Sequence, residues 1–218
     1  MRFGGEVPKQ YVKISGRPLL SWTIERFEKS QVIEDIVVVA HEDYLLYVSQ
    51  NVIDPYNFHK VRKIVSGGET RQESVLKGLR SLSKSTKLVA IHDGARPLVS
   101  EKDINAVVAE ASRTGAAMLA TPASDTVKRV KDGYIIATLN REWIYLAQTP
   151  QVFRYDLILK AHEEAALDTD LSVTDDASLA EAAGLKVRIV KSTGPNFKVT
   201  SKDDLRLIET LIGEDADG

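Results

Sequence analysis

The chain has 218 residues, 29 Lys and Arg against 31 Asp and Glu for a formal net charge of −2, and no cysteine. That length suits one α/β domain, or one domain with an appendage; the absence of Cys excludes disulfide scaffolds, Cys-ligated zinc and thiol nucleophiles, and fits a reducing, cytoplasmic setting. The even charge balance carries no global signal for nucleic acid or an anionic membrane, apolar runs such as Ile36-Val37-Val38-Val39-Ala40 are too short to span a bilayer, and Met1-Arg2-Phe3-Gly4-Gly5-Glu6 has no signal-peptide core.

Leu20, Ile24 and Phe27 fall at i, i+4 and i+7 and predict a helix with one apolar face. Ile36 to Ala40 is β-branched and bounded by charge, so it reads as a buried strand. The same reading applies to Val61 to Val65, Leu88 to Ile91, Ala116 to Ala120 and Val187 to Val190. Val75, Leu79 and Leu82 repeat the helical spacing, and Thr70-Arg71-Gln72-Glu73 reads as a capping box opening that helix. Ser100 before Glu101-Lys102-Asp103 marks another helix start, with acids in the first turn. Thr126 to Val130, Lys131-Asp132-Gly133 and Tyr134 to Ile136 then read as a β-hairpin around an Asp-Gly turn. Its alternation is two-sided and polar, so it covers little core and is expected to be an arm that needs a partner surface. Thr200-Ser201-Lys202-Asp203 opens a last helix that carries Leu205, Ile208, Leu211 and Ile212. Strands alternating with helices predict an α/β fold, a mostly parallel sheet with helices on both faces. A single domain is expected over 1–218, with the hairpin arm at about 125–148.

Ligands of such a sheet sit beyond the carboxyl ends of its strands. Ser66-Gly67-Gly68-Glu69 follows one strand and precedes a helix. Its glycines either let backbone N–H groups approach a flat or anionic ligand, or serve a turn that needs positive φ. His92-Asp93-Gly94-Ala95-Arg96-Pro97 follows another strand. Asp93 suits a metal–phosphate complex or a sugar hydroxyl; Arg96 either forks onto a phosphate or pairs with Asp93; His92 reads as a buried, satisfied histidine. Lys9 follows Pro8, and Lys198 alternates with Phe197 and Val199, which points it away from the core layer at a strand end. Each lysine is either a phosphate counter-charge or an exposed edge residue. Gln148-Thr149-Pro150-Gln151 offers hydroxyl and amide donors in an extended segment, to read a polar ligand or to make a turn. Trp22 and Trp143 read as packing residues. No nucleophile constellation is present, which argues for electrostatic phosphoryl chemistry rather than covalent catalysis.

Seven segments occur in a specific order: Val7-Pro8-Lys9-Gln10-Tyr11, Gly67 to Val75, His92 to Pro97, Asp125-Thr126-Val127-Lys128, Gln148 to Phe153, Thr174-Asp175-Asp176-Ala177-Ser178 and Asn196 to Thr200. In this the chain resembles the 2-C-methyl-D-erythritol 4-phosphate cytidylyltransferase family of the non-mevalonate isoprenoid pathway, from residue 2 to about residue 210. The resemblance implies a Rossmann-like homodimer. It also implies joining of CTP to the polyol phosphate, with Mg²⁺ or another divalent cation, to give the cytidine-diphosphate-linked product and pyrophosphate. It places Gly68, Glu69 and Ser74 on the cytosine, with Asp93 and Gly94 near the ribose and the metal. Arg2, Lys9 and Lys198 would neutralise phosphate oxygens as the substrate phosphate attacks the α-phosphorus in line. Thr126, Thr149 and Lys198 would bind the substrate phosphate, together with Arg96, and Arg141 would reach the partner subunit's site from the arm. Glu69 stands where the family shows Asp, one methylene longer. The family also opens with a strand and an Ala-Ala-Gly-x-Gly-x-Arg loop, of which this sequence carries only the Arg end. A central strand of about five or six residues and most of that loop are therefore expected to be missing. A pentitol-phosphate enzyme, such as the ribitol 5-phosphate cytidylyltransferase, is the nearest alternative. A non-catalytic dimeric module without a phosphate loop is an alternative of another class.

Overall fold

The structure is a computed structural model that describes residues 8–167 and 173–216. It opens with a small antiparallel hairpin, β1 (Lys13–Ile14) and β2 (Arg17–Pro18). The hairpin turns on Ser15 and Gly16, whose φ values of 50° and 78° suit a two-residue turn with both centres left-handed. Helix α1 (Leu19–Lys29) buries Leu19, Leu20, Ile24 and Phe27, the face its sequence spacing predicts. Arg17 clamps the hairpin to this helix. Its guanidinium lies 4.5 Å from the Trp22 ring and 4.2 Å from the Tyr56 ring, and it bonds Ser21 and Glu25.

Strand β3 (Ile36–Ala40) pairs in parallel with β4 (Val61–Ser66). The connection is helical, with α2 (Leu45–Tyr47) running into a π turn at Val48–Ile53 that buries Val48 and Val52. Helix α3 (Arg71–Ser81) follows, then β5 (Leu88–Ile91) and α4 (Glu101–Thr114), which ends at Gly115 with φ of 89°. The chain continues through β6 (Ala116–Pro122), β7 (Lys128–Lys131), β8 (Tyr134–Thr138) and β9 (Tyr145–Arg154). It finishes with α5 (Tyr155–Ala165), α6 (Asp176–Ala182), β10 (Arg188–Lys191) and α7 (Lys202–Ala216).

The larger sheet has the order β10-β6-β9-β5. β10 runs parallel to β6, while β9 is antiparallel to both β6 and β5, so β9 alone opposes the common direction. Alternation along β6 divides the core. Ala116 and Met118 face α5 and α6, packing with Ile158, Ala161 and Leu179. Ala117 and Leu119 face α4, packing with Ile104, Val107 and Ala111. Helix α7 closes a further cluster over Ile14, Leu19 and Val199 through Ile208 and Ile212. Among the described residues no strand joins β3–β4 to the larger sheet, and β3 and β5 each pair on one side only.

The α/β architecture with helices on both faces is as expected, and the last expected strand is displaced by one residue, to Arg188–Lys191. Strand β9 differs more. Pro150 and three polar neighbours disguised a ten-residue strand as a bare extended segment. The polar side chains survive there because Gln148, Thr149 and Gln151 are buried and hydrogen-bonded. Thr70 caps α3 by accepting from Glu73 N, but the return bond comes one residue early, from Glu69 N to the Glu73 carboxylate at 2.9 Å. The reciprocal box lies instead at Asp175 and Ser178.

The hairpin forms as expected, turning on Asp132 and Gly133 at φ of 50° and 81°. Its faces are not uniformly polar, however: exposed Lys128, Arg129 and Lys131 stand beside apolar side chains. Val130, Tyr134, Ile135 and Ile136 are all exposed, and Ile135 is 64% exposed. Trp143, on a short 3₁₀ turn at the foot of the arm, is 83% exposed and joins none of the buried clusters among the described residues, contrary to the packing role expected of it. Trp22 does pack, donating from Nε1 to Ile14 O.

Candidate active site

The site is built on the residues after β5. His92 is half-buried and held between two partners: Nε2 lies 3.0 Å from Arg96 O and Nδ1 3.0 Å from Thr149 Oγ1. Burial pushes its imidazole down to about 4, so the ring is neutral at pH 7. A carbonyl can only accept, so Nε2 carries the hydrogen and Nδ1 accepts from the Thr149 hydroxyl. That leaves Thr149 Oγ1 to accept the Asp93 N–H at 3.0 Å. The satisfied histidine expected from sequence thus sets the backbone of Asp93.

The Asp93 carboxylate is ringed by cations. Lys198 Nζ is 2.9 Å away, Arg71 Nε 3.3 Å and Arg96 Nε 3.5 Å. Burial alone would raise this carboxyl, but Lys198 and Arg71 outweigh it and hold it at about 2. Arg96 therefore pairs with Asp93, and its other arm donates to Asn196 O at 2.8 Å. Asn196 in turn donates to Thr149 O at 2.7 Å and to Gln148 Oε1 at 3.2 Å. These bonds pin the segment after β10 across the end of β9.

Lys198 lies in that segment, not in a strand. Pro195 interrupts it, and one backbone bond, Val199 N to Ala95 O, replaces a ladder. The expected orientation holds for a different reason: Val199 is buried in the α7 cluster, and Lys198 beside it reaches Asp93. Lys9 joins the same group by donating to Val199 O at 3.0 Å. Burial, with Lys198 adding to it, lowers the Lys9 ammonium from its ordinary value.

The glycine turn lies at the start of α3. Gly67 and Gly68 do not have positive φ, so the turn reading fails. Close approach is what they serve. A Cβ on Gly68 would sit 2.4 Å from Glu73 Cβ, and one on Gly67 would sit 2.8 Å from Ser74 Oγ. Ser74 Oγ accepts from Gly68 N at 3.0 Å and donates to Thr70 O. Glu69 is exposed at the rim. Gly94 passes close to α1, with Thr23 donating to its carbonyl at 2.9 Å and a Cβ there 2.8 Å from Leu20.

Lys9, Asp93, Gly94, Arg96, Thr149 and Lys198 are thus brought together, and Arg71 links them to the turn that holds Gly68, Glu69 and Ser74. Thr126 and Arg141 stand apart on the arm. Thr126 is exposed, Arg141 donates to Ser124 O at 2.8 Å, and neither bonds the Asp93 group among the described residues. Arg2 lies outside the described residues. Arg71 and Asn196 were missed as site residues. Arg71 had a legible signal: a cation at the first position of a helix opposes the helix dipole, so its charge is used elsewhere.

A mixed α/β sheet that gathers Lys9, Arg96 and Lys198 about one carboxylate, beside a glycine turn at a helix start, defines a nucleotidyltransferase. Residues 1–214 match the IspD family, 2-C-methyl-D-erythritol 4-phosphate cytidylyltransferase, and the chain belongs to it. The enzyme of that name from Desulforamulus reducens is 44% identical over 212 residues, covering 97% of this chain and 90% of the relative. Its counterpart from Geobacter metallireducens is 44% identical, covering 98% and 93%. Among solved structures, the 4-diphosphocytidyl-2C-methyl-D-erythritol synthase of Anaerococcus prevotii superposes with a TM-score of 0.84 at 30% identity, covering 93% of this chain and 89% of that one. The Thermus thermophilus cytidylyltransferase superposes at 0.77 with 33% identity, covering 94% of each chain.

Proposed function

We propose that this chain, as a single domain with an arm, joins CTP to 2-C-methyl-D-erythritol 4-phosphate, releasing pyrophosphate. The observation that carries the reading is the cation ring around Asp93: Lys198, Arg96 and Arg71 within 3.5 Å of its carboxylate, with Lys9 bonded to the Val199 carbonyl next to Lys198. In-line attack of the substrate phosphate on the α-phosphorus spreads negative charge over the transferring group. Preorganised cations lower that barrier without a general base. Lys9 and Lys198, with Arg2, neutralise the phosphate oxygens. The Gly68, Glu69 and Ser74 turn receives the cytosine, and Asp93 and Gly94 face the ribose. Thr126 takes the polyol phosphate, while Arg96 and Thr149, already bonded to Asn196 O and to His92 and Asp93 N, hold the Asp93 segment beside it rather than contacting the phosphate first. The family match across residues 1–214 supports the erythritol phosphate over a pentitol phosphate.

Among the described residues no three His, Cys, Asp or Glu side chains gather into a metal site. One carboxylate, Asp93, suits a magnesium ion held mainly by phosphate oxygens and water. Such an ion supplies charge neutralisation to the triphosphate when bound.

The arm supports a homodimer. Ile135, Ile136, Tyr134 and Trp143 expose apolar surface that its own subunit does not cover, and Arg141 at the foot of the arm serves the partner's site. No helix among the described residues is long and apolar enough to cross a membrane, and we place the enzyme in the cytoplasm with its nucleotide substrate.

Pyrophosphate release from CTP, assayed with the erythritol phosphate and with ribitol 5-phosphate in parallel, tests the reading. Release dependent on the former supports it. Equal or greater release with ribitol phosphate, or none with either, overturns it.

A further inference from the structure

Behind the Asp93 ring lies a second polar chain that the transfer reaction as read above does not use. Arg71 is a bridge. Its Nε faces Asp93 Oδ1 at 3.3 Å, and its Nη2 faces Asp176 Oδ2 at 2.7 Å. Asp176 is 1% exposed, and its other oxygen meets His162 Nε2 at 3.1 Å. A carboxylate can only accept, so His162 donates from Nε2. Its Nδ1 is buried without a partner among the described residues, so there the ring's one bond is the bond to Asp176.

Every element carrying this chain is fixed. His162 lies on the buried face of α5 with Ile158 and Ala165. Asp176 opens α6, whose start is held by the Asp175–Ser178 box and by Gln151. The Gln151 amide donates to Asp175 Oδ2 and accepts from Ala177 N, both at 2.8 Å. Arg71, in contrast, is 39% exposed along its side chain and has two carboxylates to choose between. An arginine in solvent samples many rotamers. Here the buried carboxylate, itself oriented by a buried imidazole, anchors one nitrogen and so aims the other.

We propose that His162 and Asp176 are positioning residues for the transfer reaction: through Arg71 they fix the orientation of the Asp93 carboxylate. The inference rests on the reading of Asp93 as part of the transfer site. An outer partner of this kind is usually worth about 10–100-fold in affinity or rate where it orients a group that handles charge. Arg71 leaves one Asp93 oxygen to Lys198 and Arg96. Without the anchor, the guanidinium is free to take both oxygens or to leave.

The test is a set of variants in the full chain. His162→Leu removes the donor, His162→Gln keeps a terminal N–H, and Asp176→Asn keeps the shape and loses the charge. Expected are an about tenfold fall in kcat and in CTP affinity by calorimetry for His162→Leu, with recovery to within about twofold for His162→Gln. In an Asp93→Asn background, His162→Leu should leave CTP affinity unchanged, because the group it positions is gone. If His162→Leu does not fold, Asp176→Asn carries the same comparison. Should Asp93→Asn weaken CTP binding and His162→Leu weaken it by the same further factor in that background, His162 is structural and the inference is wrong. Should Asp93→Asn bind and turn over like wild type, the site reading itself fails, and the inference with it.

Discussion

The Asp93 cluster and the hairpin arm are opposites in how they satisfy their own chemistry. In the cluster every charge is already answered within the subunit: Asp93 by Lys198, Arg71 and Arg96, Arg96 by Asn196 O, and Lys9 by Val199 O. In the arm the backbone is paired, β7 to β8, while Val130, Tyr134, Ile135 and Ile136 point into solvent. The cluster is thus preorganised and waits for a ligand to exchange partners with. The arm is finished as a hairpin and unfinished as a surface. The first kind of region is broken by removing a charge, the second by removing apolar area.

The largest effect is expected at Lys198. Lys198→Met keeps most of the stem and loses the charge, so kcat should fall by about 10²–10³ with the unfolding midpoint nearly unchanged. Lys198→Arg should rescue only in part, since a planar fork does not occupy the point-charge position 2.9 Å from Asp93. Steady-state kinetics with a thermal melt checks both halves. A near-wild-type rate for Lys198→Met would make it an edge lysine.

Acid should act on the cluster more than on the arm. Desolvation holds the His92 imidazole down at about 4 against an ordinary 6.5. Between those values the unfolded chain binds more protons, so stability is full above pH 6.5 and is lost as the pH falls toward 4. The loss from this group amounts to up to about 3 kcal/mol. Asp93, held at about 2 against 3.8, adds a further loss below pH 4. Urea unfolding at pH 7 and pH 4.5 measures the first window. A flat profile there would mean that His92 is not sealed from water.

The arm is broken differently. Ile135→Asp should leave the fold intact and convert a dimer to a monomer by light scattering. Mixing inactive Arg141→Ala with inactive Lys198→Met should restore about a quarter of wild-type activity, because random exchange gives half the dimers one intact site in two. No recovery, with exchange demonstrated, would confine Arg141 to its own subunit. The smallest effect is expected at the glycine turn. Gly68→Ala forces its Cβ and that of Glu73 apart from 2.4 Å, costing about 1–3 kcal/mol, and it should weaken CTP binding more than it slows the bound complex.

The two regions were also unequally legible. The hairpin is plain in sequence, since Asp132-Gly133 between alternating segments names its own turn, but reading it as polar on both sides passes over Ile135 and Ile136. In the cluster, Asp93, Arg96 and Lys198 stand out as candidates because each follows an apolar run or alternates with one, but their residue patterns leave a structural role equally open, and it is the resemblance to the family that assigns them to the site. Arg71 was read as part of a helix cap. Asp176 and His162 lay in segments that gave no local reason to meet, 14 residues apart in the chain. Strand β9 was hidden by Pro150 and by polar side chains whose partners come from the loop after β5, the start of α6 and the loop after β10. A sequence window cannot show a hydrogen bond to a residue more than 40 positions away, and Asn196 reaches Thr149 across 47.

The central claim is that Asp93 and its ring of cations carry out cytidylyl transfer. It is tested most directly by pyrophosphate release from CTP and 2-C-methyl-D-erythritol 4-phosphate, measured side by side for wild type and Asp93→Asn across a magnesium titration, with the unfolding midpoint of each. The account predicts release by the wild type and a fall of at least about tenfold in the variant at every magnesium concentration, with both proteins folded. Wild-type turnover by Asp93→Asn would contradict it and leave Asp93 a residue that merely holds a turn.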